Sequence, residues 1–379
     1  MARWLFLIAA HCNRYIYAST FDEKVREGML TYWLMFFIPA WASVSAPSKP
    51  RPAGKRLEFS WFVAGLFLTV LVGLRHQVGG DWFNYEAMYL NMVGAPLSEL
   101  IEKGDPGYHL LNWLSLQIDG GTYFVNLVAG IIFSVGVVAF CRQQPRPWLA
   151  LAVAVPYLII VVGMGYSRQA IALGLALLGL VGIAKQSNLQ FVLCIALAAT
   201  FHKSAVLLVP IAVLATPGSR LWTGLWVGIA TAILYYLLLA DSVESLVTNY
   251  LDAGYQSEGA AVRIAMNALP ATILLLFRKK FVWQPAERNL WTSMSLLALA
   301  CVAWLLVSSS STAVDRVALY LIPLQLFVFA RLPDVLGRGR SIRMWVIAVV
   351  VYYATVLLVW LNFATHSFAW VPYHSWFFL

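Results

Sequence analysis

The sequence predicts an all-α, polytopic integral membrane protein with about twelve transmembrane helices and short re-entrant or interfacial helices between them. Of its 379 residues, 61% are hydrophobic and only 11% are charged, whereas an ordinary soluble domain has roughly 25% charged residues. Many apolar runs approach the length of about 20 residues that a helix needs to cross a hydrocarbon core. These runs are too numerous to be the core helices of a soluble domain.

Twelve segments are predicted to form the spanning helices, and two of them are short. If residues 188–216 formed a single helix, the basic clusters at 278–280 and 338–343 would move to the opposite face, so two helices are preferred. Their connecting turn at His202 is expected to lie at membrane depth, where broken backbone is tolerated only inside protein or beside a water-filled cavity. The segments are residues 31–45, 60–74, 121–141, 148–165, 167–184, 188–201, 203–216, 221–240, 263–278, 289–308, 316–331 and 344–363.

The net charge of +9 is explained by topology, because juxtamembrane Lys and Arg mark the cytoplasmic side of a membrane protein. Sixteen of the 26 basic residues fall in the turns assigned to the inside, accompanied only by Glu58, Glu287 and Asp334. Both termini are then outside, and nucleic acid is not needed as a partner. The inner basic residues are Lys49, Arg51, Lys55, Arg56, Arg142, Arg146, Lys185, Arg220, Arg278, Lys279, Lys280, Arg288, Arg331, Arg338, Arg340 and Arg343.

The whole chain, residues 1–379, is predicted to form one transmembrane domain. Residues 1–30 are expected to form an N-terminal interfacial segment, although a true span there stays open. Residues 75–120 and 241–262 are extracytoplasmic loops, the first with a re-entrant or interfacial helix at Pro106–Ile118 and the second a candidate lid. The four cysteines are isolated and read as small hydrophobes, and no metal or cofactor motif is visible.

Ionisable groups near a membrane are expensive, so those on the outside are candidate functional residues. Arg168 at a helix start offers a planar fork suited to phosphate, or is a snorkelling or ion-paired side chain. His202 is a candidate base, or caps a helix break. The outer set comprises all six histidines, His11, His76, His109, His202, His366 and His374, with Arg75, Asp81, Arg168, Arg263, Asp315 and Arg316.

Three further interpretations concern local structure. Two glycines between Arg75 and Asp81 let the backbone approach a ligand or simply turn, and the two charged residues could form a structural salt bridge. Asp315 is expected to N-cap a helix of residues 316–331 that Arg316 begins. The aromatic tail at 366–379 is explained mostly as an interfacial belt.

Five motifs occur in an order that resembles the EpsG family of Wzy-like exopolysaccharide polymerases. They are Arg75 with Val-Gly-Gly-Asp-Trp-x-x-Tyr up to Tyr85, Asp105-Pro-Gly-Tyr108, Ser167-Arg168-Gln169-Ala170, Phe201-His202-Lys203-Ser204, and Arg316 with Tyr320. This chain has Gly80 where the family pattern more often has Thr or another polar residue.

The resemblance implies a glycosyltransferase of the GT-C type in the bacterial cytoplasmic (inner) membrane, working on the periplasmic or outer face. Its substrate would be a polyprenyl-diphosphate-linked oligosaccharide, and a flippase and a chain-length regulator of the same pathway would be partners. Arg168, Arg316 and Arg75 would stabilise the leaving diphosphate, without a metal or cofactor. His202 would be the base, with Asp81 as the alternative. Gln169 would bind substrate, as would the aromatic residues Tyr85, Tyr108 and Tyr320 by stacking on sugars.

Other classes remain open at this point. A transporter or lipid flippase predicts polar residues that continue to the midplane and often an internal repeat, and the sequence has no repeat of fixed period and helices that read as apolar in their inner halves. An O-antigen ligase or a sugar O-acyltransferase is the alternative among enzymes.

Overall fold

The computed structural model describes residues 28–46, 58–96, 104–209, 257–283, 285–308 and 310–378, with residues 225, 228 and 229. Within these ranges the ordered elements are helical, and one isolated β-bridge joins Arg75 to Ser375. Six described helices are long and apolar enough to cross a membrane, or seven if a bent pair forms one span. The polytopic helical class is therefore confirmed, whereas the described residues do not support a count of about twelve spans.

Fourteen α-helical elements are used below. They are α1 (Gly28–Ser45), α2 (Phe59–Gly73), α3 (Trp82–Leu90), α4 (Pro106–Gln117), α5 (Gly121–Arg142), α6 (Pro147–Gly163), α7 (Ser167–Ala184), α8 (Asn188–Phe201), α9 (Ala260–Phe277), α10 (Pro285–Val307), α11 (Ser311–Leu319), α12 (Pro323–Phe329), α13 (Leu332–Leu336) and α14 (Ser341–Phe363). The second half of α6, Val155–Gly163, is π-helical. A 3₁₀ helix, Lys203–Leu208, follows α8.

The predicted bounds of α7 and α8 agree with the structure residue for residue, and the predicted break at His202 is confirmed. The short helix Pro106–Ile118 is present as α4. The N-terminal segment up to residue 27, the span at 221–240, and most of segments 203–216 and 241–262 lie outside the described residues.

Helix α7 is the centre of the bundle because small residues let its neighbours approach closely. A Cβ atom on Gly136 of α5 would lie 2.1 Å from the carbonyl oxygen of Gly174 in α7. In the same way, Gly130 of α5 faces Gly73 at the end of α2, with 2.9 Å between a Cβ built there and the Gly73 Cα. The backbone of α5 therefore packs directly against the backbones of α2 and α7.

One end of the bundle carries an ion-pair network. Arg146 binds Asp334 through two hydrogen bonds of 2.7 and 2.9 Å. Arg331 lies 3.5 Å from Glu287 and stacks on the ring of Phe327. Two of the three acidic residues assigned to the inside thus pair with basic residues assigned to the same side.

At the opposite end, the segment after α14 folds back over the loop that follows α2. Trp370 is 2% exposed, and its indole N–H donates to the carbonyl of Ile160 at 2.9 Å. The His76 N–H donates to the His374 carbonyl at 3.0 Å, and the Trp376 N–H to the Leu74 carbonyl at 2.8 Å. The interpretation of this tail as an interfacial belt is wrong for Trp370, because a buried indole is favourable once its N–H has a partner.

The predicted helix 316–331 is also wrong, because the chain bends by 52° between α11 and α12. Pro323 supplies no N–H and begins α12, and the Asn267 amide donates to the Ala318 carbonyl beside the bend at 2.8 Å. The Gln325 amide in turn donates to Asn267, and the Tyr353 hydroxyl to Gln325. The helices are thus not uniformly apolar, but the polar side chains of Asn267, Gln325 and Tyr353 hydrogen-bond to one another.

Gly79, in the loop after α2, packs closely against the backbone at residue 164. Its φ is +109°, and a Cβ there would lie 2.3 Å from the Met164 carbonyl oxygen. Gly94 also has positive φ, +83°, but nothing lies within 4 Å of its Cβ position. We expect Gly94→Ala to cost about 1–2 kcal/mol of backbone strain, and Gly79→Ala to cost more because the backbone must also move.

Thermal unfolding of the two variants in detergent measures this difference. Equal melting temperatures would show that the contact between Gly79 and residue 164 does not constrain the fold.

Candidate active site

Arg168 lies in the first turn of α7, where the helix dipole opposes a positive charge. Its Nη1 lies 2.8 Å from Oδ2 of Asp105, and its guanidinium carbon is 5.8 Å from the centre of the Tyr85 ring. The side chain is 31% exposed, whereas that of Asp105 is only 9% exposed. A cation in this position needs an anion, and Asp105 supplies one.

Asp105 connects three parts of the chain. It is the N-cap residue of α4, and its carboxylate also accepts a hydrogen bond from the Lys203 backbone N–H. Burial raises the pKa of Asp105, while Arg168 and Lys203 act to lower it. Asp105 belongs to one of the five sequence motifs but was not predicted to be a site residue, because the sequence alone did not indicate its partner.

Tyr85 and Tyr108 pack with ring centres 5.5 Å apart, and both are almost fully buried. Arg75 is 1% exposed, and its guanidinium donates to the carbonyls of Val72 and Val78 and to the side chains of Asn126 and Ser167. Within the described chain the Arg75 guanidinium thus hydrogen-bonds to these four protein groups, and none of them is Asp81. Arg75 supports the turn below the two tyrosines rather than reaching the outer surface.

His202 lies in the turn after α8 and is surrounded by hydrogen-bonding groups. Its Nδ1 is 2.5 Å from the Ser204 hydroxyl and 3.4 Å from the Tyr320 hydroxyl, and its Nε2 is 3.4 Å from the Gln169 amide nitrogen. Burial, together with the charges of Arg316 and Arg168, lowers the pKa of His202 to about 3. The imidazole is therefore neutral at ordinary pH.

Arg316 lies in the last turn of α11, not at a helix start as predicted. Among the described residues it has no hydrogen bond or ion pair. Its neighbour Asp315 is not an N-cap, because it lies inside α11 and binds Arg263 through contacts of 2.7 and 2.6 Å. Ser257 donates to the same carboxylate at 3.0 Å. The contacts of Asp315 with Arg263 and Ser257 fix α11 against α9. Within the described residues, the charge of Arg316 is left without a partner.

Asp81 precedes α3, and its backbone N–H points to the Gly165 carbonyl at 3.4 Å. Its side chain accepts one hydrogen bond, from Asn84 at 3.3 Å. Burial raises the pKa of Asp81, opposed by that hydrogen bond and by the charges of Arg316 and Arg168. The structure therefore brings Asp81 within electrostatic range of both arginines.

Buried polar atoms without a hydrogen-bond partner are rare in native structures, and in the described chain they concentrate here. Four of the six belong to α4 and the start of α7: His109 Nδ1, Asn112 Oδ1, Arg168 Nε and Gln169 Oε1. His109 was in the outer set but was given no role, and Asn112 was missed. The available signal was their spacing of three positions, which places both on one face of α4. In the described residues, no three His, Cys, Asp or Glu side chains are grouped to hold a metal ion.

Arg168, Gln169, His202, Tyr320, Tyr85 and Tyr108 thus form a connected layer, with Asp81 and Arg316 beside it and Arg75 below. No curated protein and no solved structure matches the chain. The sequence pattern of the EpsG family matches residues 58–375, which include all five motifs and most of the chain. The protein therefore belongs to the EpsG family, a family of Wzy-like polymerases.

Proposed function

We propose that this protein is a polysaccharide polymerase that joins polyprenyl-diphosphate-linked oligosaccharide repeat units on the outer face of the cytoplasmic membrane. Membership of the EpsG family supports a role in exopolysaccharide synthesis. The observation that carries the site assignment is Arg316, which has no hydrogen bond or ion pair among the described residues and lies near Asp81. It is at the end of the bundle where the charge pattern predicts the outside.

In this reaction an acceptor hydroxyl oxygen forms a bond to the anomeric carbon of the growing glycan. The bond from that carbon to the carrier diphosphate breaks, and its electron pair leaves with the diphosphate. The hydroxyl proton passes to a base. The protein must therefore stabilise negative charge on the diphosphate and hold a base near the acceptor.

Arg316 and Arg168 are assigned to the diphosphate. Arg316 has no protein partner to displace among the described residues, and a guanidinium binds phosphate oxygens through two parallel hydrogen bonds. Arg168 already binds Asp105, so the diphosphate shares or replaces that carboxylate. The N-terminus of α7 adds a dipole that favours an anion at the same place.

Asp81 is assigned as the base in preference to His202. An effective base has a pKa near the working pH, and burial moves the pKa of Asp81 upward but that of His202 down to about 3. Both ring nitrogens of His202 also lie against protein groups. The acceptor side of the site is then assigned to His202, Gln169 and Tyr320. The position of Arg168 is supported by Tyr85, Tyr108 and Arg75.

Arg316→Ala tests the diphosphate assignment. Removing a preorganised electrostatic donor typically lowers the catalytic rate by about 10²–10³-fold, so a null strain carrying this variant should accumulate single lipid-linked repeat units on the outer face. Arg288→Ala removes an exposed arginine assigned to the inner side and is the matched control. Full-length polymer from Arg316→Ala would exclude the assignment, and inward-facing repeat units would instead indicate a flippase.

The pH dependence of polymerisation tests the base. Because the pKa of Asp81 is raised, its carboxyl is protonated at a higher pH than an ordinary Asp, and the rate should fall on acidification through that elevated value. Asp81→Asn should lose this acidic limb together with about 10²–10⁴-fold of the rate. The measurement uses purified protein and the lipid-linked repeat unit, and an unchanged profile in Asp81→Asn would assign the base elsewhere.

His202→Gln separates hydrogen bonding from proton transfer. Gln keeps a donor and an acceptor at this position, so the rate should fall by less than about tenfold, whereas His202→Leu should lose considerably more because Gln169 and Ser204 lose their partner. If both variants were equally inactive and equally well folded, His202 rather than Asp81 would be the base.

A further inference from the structure

A concave site lies at the outer end of α1 and α2, beside the turn that contains Arg75. It is a cavity of about 650 Å³ between these helices and the segment after α14, within the range of typical small-molecule sites. Its floor is apolar, formed by Val70 and Leu71. No part of the proposed reaction uses this cavity.

The other lining residues have the chemistry of a sugar site. Hydrogen-bonding groups come from Thr31, His76, Gln77, His374 and Ser375, and aromatic rings from Tyr373, Phe377 and Phe378. Among the residues that the structure describes, no Lys, Arg, Asp or Glu lines the cavity. A phosphate headgroup or a diphosphate requires cations, whereas uncharged hydroxyl groups need neutral donors and acceptors beside an aromatic surface.

The cavity wall is held rigidly. The Arg75–Ser375 bridge and the hydrogen bond from the His76 N–H to the His374 carbonyl join its two sides, and the Tyr373 hydroxyl donates to the Leu71 carbonyl at 3.0 Å. Gln77 adopts a left-handed backbone conformation with φ +50°. A non-glycine residue held in this region is strained, and such strain concentrates at binding sites.

The cavity adjoins the proposed reaction centre. The His76 ring contacts the Trp82 ring edge to face, with centres 5.9 Å apart. Trp82 directly follows Asp81, the proposed base, and begins α3. The lining residue His76 thus contacts the residue that follows the proposed base in the sequence.

We propose that this cavity is a second glycan site, which binds sugars of the growing polymer next to the bond being formed. This inference rests on the proposed polymerase function. Holding the glycan here raises its local concentration at the reaction centre after each transfer. The cavity thereby sets how many repeat units are added before the polymer is released.

The test combines polymer length with direct binding. The double variant Gln77→Ala/His374→Ala removes two neutral hydrogen-bonding groups and should bind the oligosaccharide, released from its lipid, about tenfold more weakly. In cells it should make shorter polymer while the first coupling of two repeat units proceeds at the wild-type rate. The matched control is His366→Ala, an exposed outer histidine that pairs with Glu258 and does not line the cavity.

Binding is measured by saturation-transfer NMR on purified full-length protein, with melting temperature as the check on folding. Polymer of wild-type length from the folded double variant overturns the inference, as does a phospholipid that co-purifies with wild type but not with the variant while oligosaccharide binding is unchanged. Arg316→Ala should retain oligosaccharide binding. A failure of the polymerase assignment would appear as normal polymer from Arg316→Ala, and so is distinguishable from a failure of the cavity.

Discussion

The candidate site depends on the placement of a permanent positive charge at the N-terminus of the most deeply packed helix. The Arg168 side chain is only 31% exposed, and α7 itself is buried by its neighbours, with the small residues of α5 against its backbone. The helix dipole also opposes the charge. Asp105 compensates for both effects, and through it the loop before α4 and the turn after α8 are drawn to the start of α7.

The cost of burying an unpaired charge separates the polar residues into those that stabilise the fold and those available to bind substrate or react. Arg75, Arg263 and Asp315 are satisfied by several protein partners each. Arg316 lacks such partners in the described chain, and Asp81 has one weak hydrogen bond. Membrane proteins tolerate buried charge only when it is paired or functional, so the contrast between Asp315 and Arg316, adjacent in sequence, is the most informative one in the site.

Much of this arrangement could be predicted from the sequence. Apolar length and breaks predicted the bounds of α7 and α8. Charge placement assigned Arg146 and Asp334, and Arg331 and Glu287, to one side, and the structure brings these residues together at one end of the bundle. The bend before α12 was missed because Pro323 is compatible with a kinked continuous helix, and the decisive Asn267 contact comes from a helix more than fifty residues away. The roles of Asp315 and Trp370 were misread for the same reason. Their partners, Arg263 and Ile160, are defined by tertiary packing and leave no local signal.

The segment that follows α14 constrains the order in which the protein assembles. Residues 369–376 complete the hydrogen bonding of the turn at residues 74–79, yet they are synthesised after every described helix on which they pack. Those helices are therefore made before the segment that completes this end of the bundle, and the turn leading to Asp81 gains its last backbone hydrogen bonds only when that segment is in place. Assembly of the candidate site is in this sense a late event, because it depends on the last part of the described chain and not only on the helices that carry its arginines.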